Sequence, residues 1–339
     1  MLLIRKKAFA RAGLVGNPSD GYGGKTISLV VRDFCAEVSL YEWDQIEVVS
    51  SQNDQSCFDS LDELVRDVRL HGYYGGIRLV KATIKKFAEF CHHCGYPLHG
   101  RNFSARYQSN IPRQVGLAGS SAIIVATLRC LMEFFEVEIP ERVQPSLVLS
   151  VETDELGIPG GLQDRVIQVY EGLVYMDFAD DRCEEICGLR CGTYDPLDTG
   201  LLPPLYLAYS TDASEPTEVI HNNLRTRYQQ GEPAVLAAMV ELGQIALAAR
   251  EALLERDARQ LGKLVDANFE IRRSICRLPK EHVDMVERAR AVGASAHFSG
   301  SGGAILGTYE DDAMFARLKK ELGAIGCAVL KPTICPPAT

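Results

Sequence analysis

Tryptophan and positive charge are both scarce in this chain. It has one tryptophan in 339 residues, and 36 lysines and arginines against 45 aspartates and glutamates leave a net charge of −9. A nucleic-acid partner needs a basic surface to meet its phosphates, so this balance argues against one. No uninterrupted apolar run approaches the roughly 20 residues of a membrane span. The opening MLLIRKKAFARAGLVGN sets its basic residues after a few apolar ones, the reverse of a secretory leader. A cytoplasmic protein with no membrane partner is therefore expected. Internal repeats and low-complexity tracts are missing as well. A disulfide framework is excluded by similar reasoning, because the eleven cysteines are odd in number and sit mostly inside apolar segments. Two cysteine clusters have spacings that suggest metal: CHHC at Cys91–Cys94, and Cys183, Cys187 and Cys191 at every fourth position. Structural zinc takes four ligands, usually in two pairs, and neither cluster has a second pair in place, so reduced thiols are expected.

The material that is present suits a full-sized core, with 46% hydrophobic residues. A length of 339 residues is enough for about two domains at roughly 100–200 residues each. Glycine, proline and aspartate concentrate in GTYDPLDTGLLPP (192–204), which marks a junction between residues 1–195 and 196–339. Period-two alternation predicts strands at 26–31 and 35–51, and another near 102–112. Helical spacing predicts helices at 60–72, 76–95, 142–157 and 161–170, followed by a strand at 172–178. Beyond the junction come a strand at 205–211, helices near 216–229, 234–255, 258–275 and 281–292, a hairpin at 295–307, a helix at 311–323 and a last strand at 326–330. Strands and helices mix without regular βαβ alternation, so the fold class is α+β.

Three stretches point to chemistry. In GLAGSSAIIVATLRCL, Gly116, Gly119, Ser120 and Ser121 crowd a short loop directly before an apolar helix. Glycine lets a ligand approach the backbone amides, and a helix N-terminus gathers unpaired N–H groups with partial positive charge, so the loop suits an anion. No lysine follows the glycines, so it is not a P-loop. In VETDELGIPGGLQDRVIQVY, Glu152 precedes Asp164 by twelve positions across a GIPGG turn that can bring both acids to one place. Phosphoryl transfer uses such a pair, one carboxylate toward a metal on the phosphates and one toward the attacking hydroxyl. The third stretch, FSGSGGA (298–304), is a glycine-rich turn between strands. Each stretch alone has an ordinary reading as a capped core helix, a solvated acid pair or a tight hairpin.

Taken in order, the three resemble the GHMP kinases. The first motif of that family is matched by ARAGLVGNPSDGYGGKTIS at Arg11, Leu14, Gly16, Asp20, Gly23 and Gly24, with Asn17 and Pro18 where galactokinases carry Glu and His. The second is matched by Gly116, Leu117, Gly119, Ser120, Ser121 and Ala122, with Ala118 inserted, and the third by Ser299, Gly300, Gly302 and Gly303 in shortened form. Within the family, NPSD in the first motif and GLQDR around Asp164 are most similar to the branch that phosphorylates glucuronate.

The resemblance implies an N-terminal domain of ribosomal-protein-S5 type, a C-terminal ferredoxin-like domain, and an active site between them. It implies ATP and Mg²⁺, with the nucleotide held by Gly116, Leu117, Gly119, Ser120, Ser121 and Ala122, and the metal by Ser121 and Glu152. Asp164 is implied as base or orienting acceptor, and Arg11 as the charge opposite the transferring phosphoryl group. Asn17, Asp20, Gly24, Gly300 and Gly302 are implied on the sugar side. The implied reaction is phosphorylation of D-glucuronate at its anomeric hydroxyl. A uronate carboxylate calls for an arginine. Arg225, Arg227, Arg165 and Arg272 are candidates, with Arg225 favoured and His221 beside it read as structural. A kinase of a neutral sugar or of mevalonate, and a non-catalytic sensor on the same fold, stay open, as does the oligomeric state.

Overall fold

The computed structural model describes residues 2–49, 75–211 and 218–335. The helix expected at 60–72 lies outside the described residues, as does the side chain of His221.

A six-stranded sheet is built around one long strand, β2 (Lys25–Trp43). Strand β1 (Leu3–Val15) runs antiparallel along one edge of β2. Along the other edge, β5 (Leu173–Asp177) pairs with the first part of β2, and β4 (Asn102–Ser109) pairs with the rest. Strand β3 (Glu47–Val49) joins β4 in parallel, and β8 (Thr193–Leu197) closes the far side on β5. The sequence expectation of two strands with a turn between them at 32–34 becomes one strand with a bulge. Phe9 faces Cys35 and Ala10 faces Val31, so three residues of β2 loop out without breaking the ladder. Strand β1 gave no alternation signal because residues Ala10 to Val15 are buried on both faces. Strand β8 runs through the stretch read as a junction, and its Pro196 is tolerated because β8 is an edge strand.

Helices α1 (Gly76–Cys94), α2 (Gly119–Phe134) and α4 (Gln163–Tyr170) pack on this sheet, and α3 (Gln144–Ser150) packs against all three. The helix expected over 142–157 is cut short, since α3 passes into a wider π-type turn at Val151–Glu155. A small hairpin of β6 (Glu184–Ile186) and β7 (Leu189–Cys191) stands apart.

The second sheet takes its strands from residues 205 to 330 in the order β10-β11-β9-β12, all antiparallel. These are β9 (Leu205–Ser210), β10 (His297–Phe298), β11 (Ala304–Thr308) and β12 (Cys327–Leu330). Counted along the chain the order is 2-3-1-4, with helices between the first and second and between the third and fourth strands. That is the split βαβ arrangement of ferredoxin-like folds. Helices α5 (Glu218–Gln229), α6 (Pro233–Leu254), α7 (Ala258–Ile275) and α8 (Lys280–Ala291) separate β9 from β10, and α9 (Asp312–Gly323) separates β11 from β12.

Helix α6 corrects one sequence expectation, because its 22 residues are long and apolar enough by composition to cross a membrane. Glu241 and Gln244 had interrupted the apolar run. In the structure α6 packs against β2 and α7, and Leu242 and Ala246 are fully buried there. This is the packing of a core helix.

Candidate active site

A cavity of about 500 Å³ opens where the turn after β1, the N-terminus of α2, the start of α4 and the β10–β11 turn meet. Its framing residue is Arg11, near the middle of β1 and 5% exposed. The guanidinium donates from Nε to Asp164 Oδ1 at 2.6 Å, and from Nη1 to the carbonyls of Gly116 at 2.8 Å and Ser299 at 2.7 Å. One buried arginine thereby ties together the second and third glycine-rich loops and the acid of α4. Gly300 fits only because it has no Cβ, which would stand 2.2 Å from the Gly116 carbonyl and 2.6 Å from Arg11 Nη1.

The loop before α2 takes two left-handed residues, Gly116 at φ 71° and Ala118 at φ 60°. Alanine in that region costs roughly 1–2 kcal/mol, and the surroundings hold it there. Gln168 Nε2, Ser121 Oγ and the Ala122 amide all donate to the Ala118 carbonyl. The N-cap residue of α2, Ala118, offers no side-chain hydrogen bond to the helix amides. The first-turn amides therefore lie at a helix end open to the cavity, where an anion is the natural partner.

The π-type turn aims Glu152 inward, where it is 1% exposed. Ser120 Oγ donates to Glu152 Oε1 at 2.8 Å, and Arg165 donates to Oε2 from Nε at 2.8 Å and also from Nη2. Arg165 also reaches Asp164 Oδ2 at 3.5 Å. Burial opposes the charge of Arg165, but Glu152 and Asp164 outweigh it and hold the guanidinium above its ordinary pKa. Asp20, in the short 3₁₀ turn Ser19–Tyr22, accepts a hydrogen bond from the Gln163 amide at 3.3 Å. Burial first, and the neighbouring Asp164 second, push its carboxyl up to about 6.

The predicted residues divide into two groups. Arg11, Asn17, Asp20, Gly116, Leu117, Gly119, Ser120, Glu152, Asp164, Arg225 and Gly300 all border the cavity. Ser121, Ala122, Gly24 and Gly302 do not. Ser121 turns back to the Ala118 carbonyl, and Ala122 is fully buried. Gly24 closes the Ser19 turn through its amide, and Gly302 lies against the His282 ring. Asn17 is 1% exposed, and its amide is spent on the Phe298 carbonyl at 3.0 Å.

Tyr107, Arg78, Arg113 and Arg272 also border the cavity, and sequence reasoning assigned the first three no role. Gly76 carries the one readable hint, since its missing Cβ makes room for the Tyr107 ring. CHHC ends α1, with Cys91 buried and Gly95 in the left-handed region closing the helix. All the described cysteines are free, and among the described residues no group of three or more His, Cys, Asp or Glu could hold a metal.

A helix end facing buried Glu152, half-buried Asp164 and a set of arginines is an arrangement suited to phosphoryl transfer. Residues 78–172 match the model of the GHMP kinases N terminal domain. The chain is 44% identical over 310 residues to Glucuronokinase 1 of Arabidopsis thaliana, covering 89% of this chain and 84% of that one. It is 24% identical over 286 residues to the D-glycero-alpha-D-manno-heptose 7-phosphate kinase of Campylobacter jejuni, covering 81% and 78%. Among solved structures, Lactococcus lactis galactokinase complexed with galactose superposes with a TM-score of 0.79 at 16% identity, over 99% of this chain and 95% of that chain. Streptococcus pneumoniae phosphomevalonate kinase in complex with phosphomevalonate and AMPPNP gives 0.74 at 14% identity, over 99% and 100%. The chain belongs to the GHMP kinase family. It is a phosphotransferase that takes ATP as donor, on the α+β fold of that family.

Proposed function

We propose that the protein transfers the γ-phosphoryl group of ATP to the anomeric hydroxyl of D-glucuronate, giving glucuronate 1-phosphate and ADP. The observation that carries this reading is the shared cavity, in which Asp164, fixed by Arg11, faces the same space as the N-terminal end of α2. The 44% identity to Glucuronokinase 1 supports the choice of acceptor.

In this reading the triphosphate lies against the first turn of α2, with Gly116 and Gly119 letting it approach the backbone. The acceptor lies between Asp20 and Asp164, and Asp20 accepts hydrogen bonds from its ring hydroxyls. Asp164 aligns the anomeric hydroxyl and receives its proton as the new O–P bond forms and the bond to ADP breaks. Arg11, donating at 2.6 Å, fixes where the Asp164 carboxylate points. That suits a loose transition state, in which the proton leaves late and alignment is the larger part of the task. Arg11 is committed to Asp164 and two loop carbonyls, so its role is chiefly to hold the three in register.

The oxygen donors at the α2 end fit a magnesium ion carried in with the nucleotide. Mg²⁺ keeps several waters and uses one or two carboxylates beside phosphate oxygens, and here Glu152 supplies one carboxylate next to the Ser120 hydroxyl. Glu152 and Ser120 would hold it, with Ser120 in the place expected for Ser121, whose hydroxyl turns away. When bound, the ion neutralises charge on the β- and γ-phosphates.

An ADP-release assay over glucuronate, galactose and mevalonate tests the reading. Glucuronate is expected to turn over best. Efficient turnover of galactose with none of glucuronate refutes it.

A further inference from the structure

Six arginines border the cavity, and two of them are paired with its acids. Arg11 pairs with Asp164, and Arg165 with Glu152. Arg227, the neighbouring candidate on α5, is engaged by Glu232 and by the Ile275 carbonyl. Arg272, on α7, is different. It is only 3% exposed, yet it borders the cavity, and among the described residues no carboxylate forms an ion pair with it. Its contacts are the Gly300 carbonyl from Nη1 at 2.5 Å, the Ser301 carbonyl from Nη2 at 3.2 Å, and the Phe298 ring beneath its plane. Nε is enclosed with no hydrogen-bond partner among the described residues. Each terminal nitrogen keeps a second N–H, and two such donors side by side form the fork that fits a carboxylate. A buried cation without a counter-ion is costly, so a ligand anion is its natural complement.

We infer that Arg272 holds the carboxylate of the sugar acid and thereby sets the preference for a uronate over a neutral sugar. This rests on the function proposed above. We assign this anion to the acceptor rather than to the triphosphate on the neighbours of Arg272. The charged groups that bear on Arg272 are Arg11, Asp20 and the Cys276 thiol, and Asp20 belongs to the acceptor side. Glu152 and Ser120, at the α2 end, bear on each other and on Arg165 instead. Arg225 also borders the cavity, but it is exposed on α5, where water and salt screen a charge. Arg272 is fixed before the ligand arrives, so little ordering is left for binding to oppose.

Glucose, the neutral counterpart with a hydroxymethyl group in place of the carboxylate, supplies the control. Arg272→Gln is expected to raise KM for glucuronate roughly 10- to 100-fold, the usual effect of losing a charged hydrogen-bond pair. Loss of the contacts to the Gly300 and Ser301 carbonyls lowers kcat/KM for glucose and glucuronate alike, so the fork is read as the excess loss for glucuronate, expected to be about tenfold or more, with KM for ATP rising less than KM for glucuronate. Arg272→Lys keeps the charge and loses the fork, so it should show a smaller, salt-sensitive rise for glucuronate only. If Arg272→Gln does not fold, as judged by a missing cooperative melt, the lysine variant decides by the same readout.

Equal losses with glucuronate and glucose, or a rise in KM for ATP matching that for glucuronate, overturn the inference in favour of a loop or phosphate role. A glucuronate-specific loss carried by Arg225→Ala and absent from both Arg272 variants overturns it as well. Wild-type enzyme that leaves glucuronate untouched refutes the proposed function instead, so the two failures read differently.

Discussion

Asp20→Asn should make the protein more stable while making it a poorer enzyme, with a pH signature set by one buried carboxyl. Asp20 is held at a pKa of about 6 in the folded chain, against an ordinary 3.8. An acid whose folded pKa is raised favours its neutral form in the native state, so it costs nothing below pH 4. The cost grows as pH rises through the interval between the two values and levels off above about 6. For the pKa values 3.8 and 6 this amounts to about 1.5 kcal/mol at pH 5 and about 3 kcal/mol at pH 8. Asparagine is neutral throughout, has nearly the same shape, and can still accept from the Gln163 amide. Urea midpoints of the two proteins, compared at pH 5, 6, 7 and 8 without ligand, should diverge toward alkaline pH in favour of the variant. Meanwhile kcat/KM for the acceptor should fall by at least about tenfold, since a carboxylate gives way to an amide toward the sugar hydroxyls. A stability difference that ignores pH, or a variant less stable than wild type at pH 8, refutes the reasoning. In either case the burial of Asp20 and its nearness to Asp164 would not be what governs its charge.

Two further perturbations probe the rest of the constellation. Asp164→Asn should lower kcat by about 10²-fold or more while KM for ATP changes little, because alignment of the hydroxyl is lost and the phosphate end is untouched; steady-state kinetics with ATP varied separately check this. Arg165→Met leaves Glu152 buried beside Ser120 alone, and should destabilise the fold by roughly 3–5 kcal/mol in urea unfolding; a loss under about 1 kcal/mol would mean that the buried pair contributes little to the fold.

How much of this was legible in sequence depends on the range over which each signal acts. The second half of the chain follows its periodicity closely, because amphipathic helices and a hairpin record their burial locally. Helix α7 (Ala258–Ile275) coincides with the stretch expected from spacing alone. Strand β1 left no trace because its core end faces protein on both sides. The turn at Glu152 was read as continuous helix, since a π-type turn keeps helical spacing to within a residue. The three glycine-rich loops announced themselves, because close backbone approach demands glycine. Their partners did not. Arg11 meets Asp164 across 153 positions, and Arg272 meets the Gly300 carbonyl only through the packing of α7 on the second sheet. Whether Ser120 or Ser121 faces Glu152 depends on the entry angle of α2, which the left-handed Ala118 sets.

The third glycine-rich loop is best understood through these long-range partners. In the resemblance from which it was first read, its glycines belonged to the sugar side. In the structure Gly300 is pressed against the Gly116 carbonyl, and Gly116 against the Ser301 amide. The Ser299 carbonyl accepts from both Arg11 and the Gly13 amide. The Gly300 and Ser301 carbonyls accept from Arg272. Three successive carbonyls are thus gripped by two buried arginines, one rooted in each half of the chain. Small residues are needed there because loops from the two sheets must interlock, and in the reading proposed above that interlock sets the distance between the phosphate and the acceptor. Catalysis by positioning depends on that distance, since a displacement of about 1 Å can cost about 10²-fold in rate. The loop that carries Gly300 and Ser301 borders the cavity and, through this interlock, can also act on the proposed reaction by geometry.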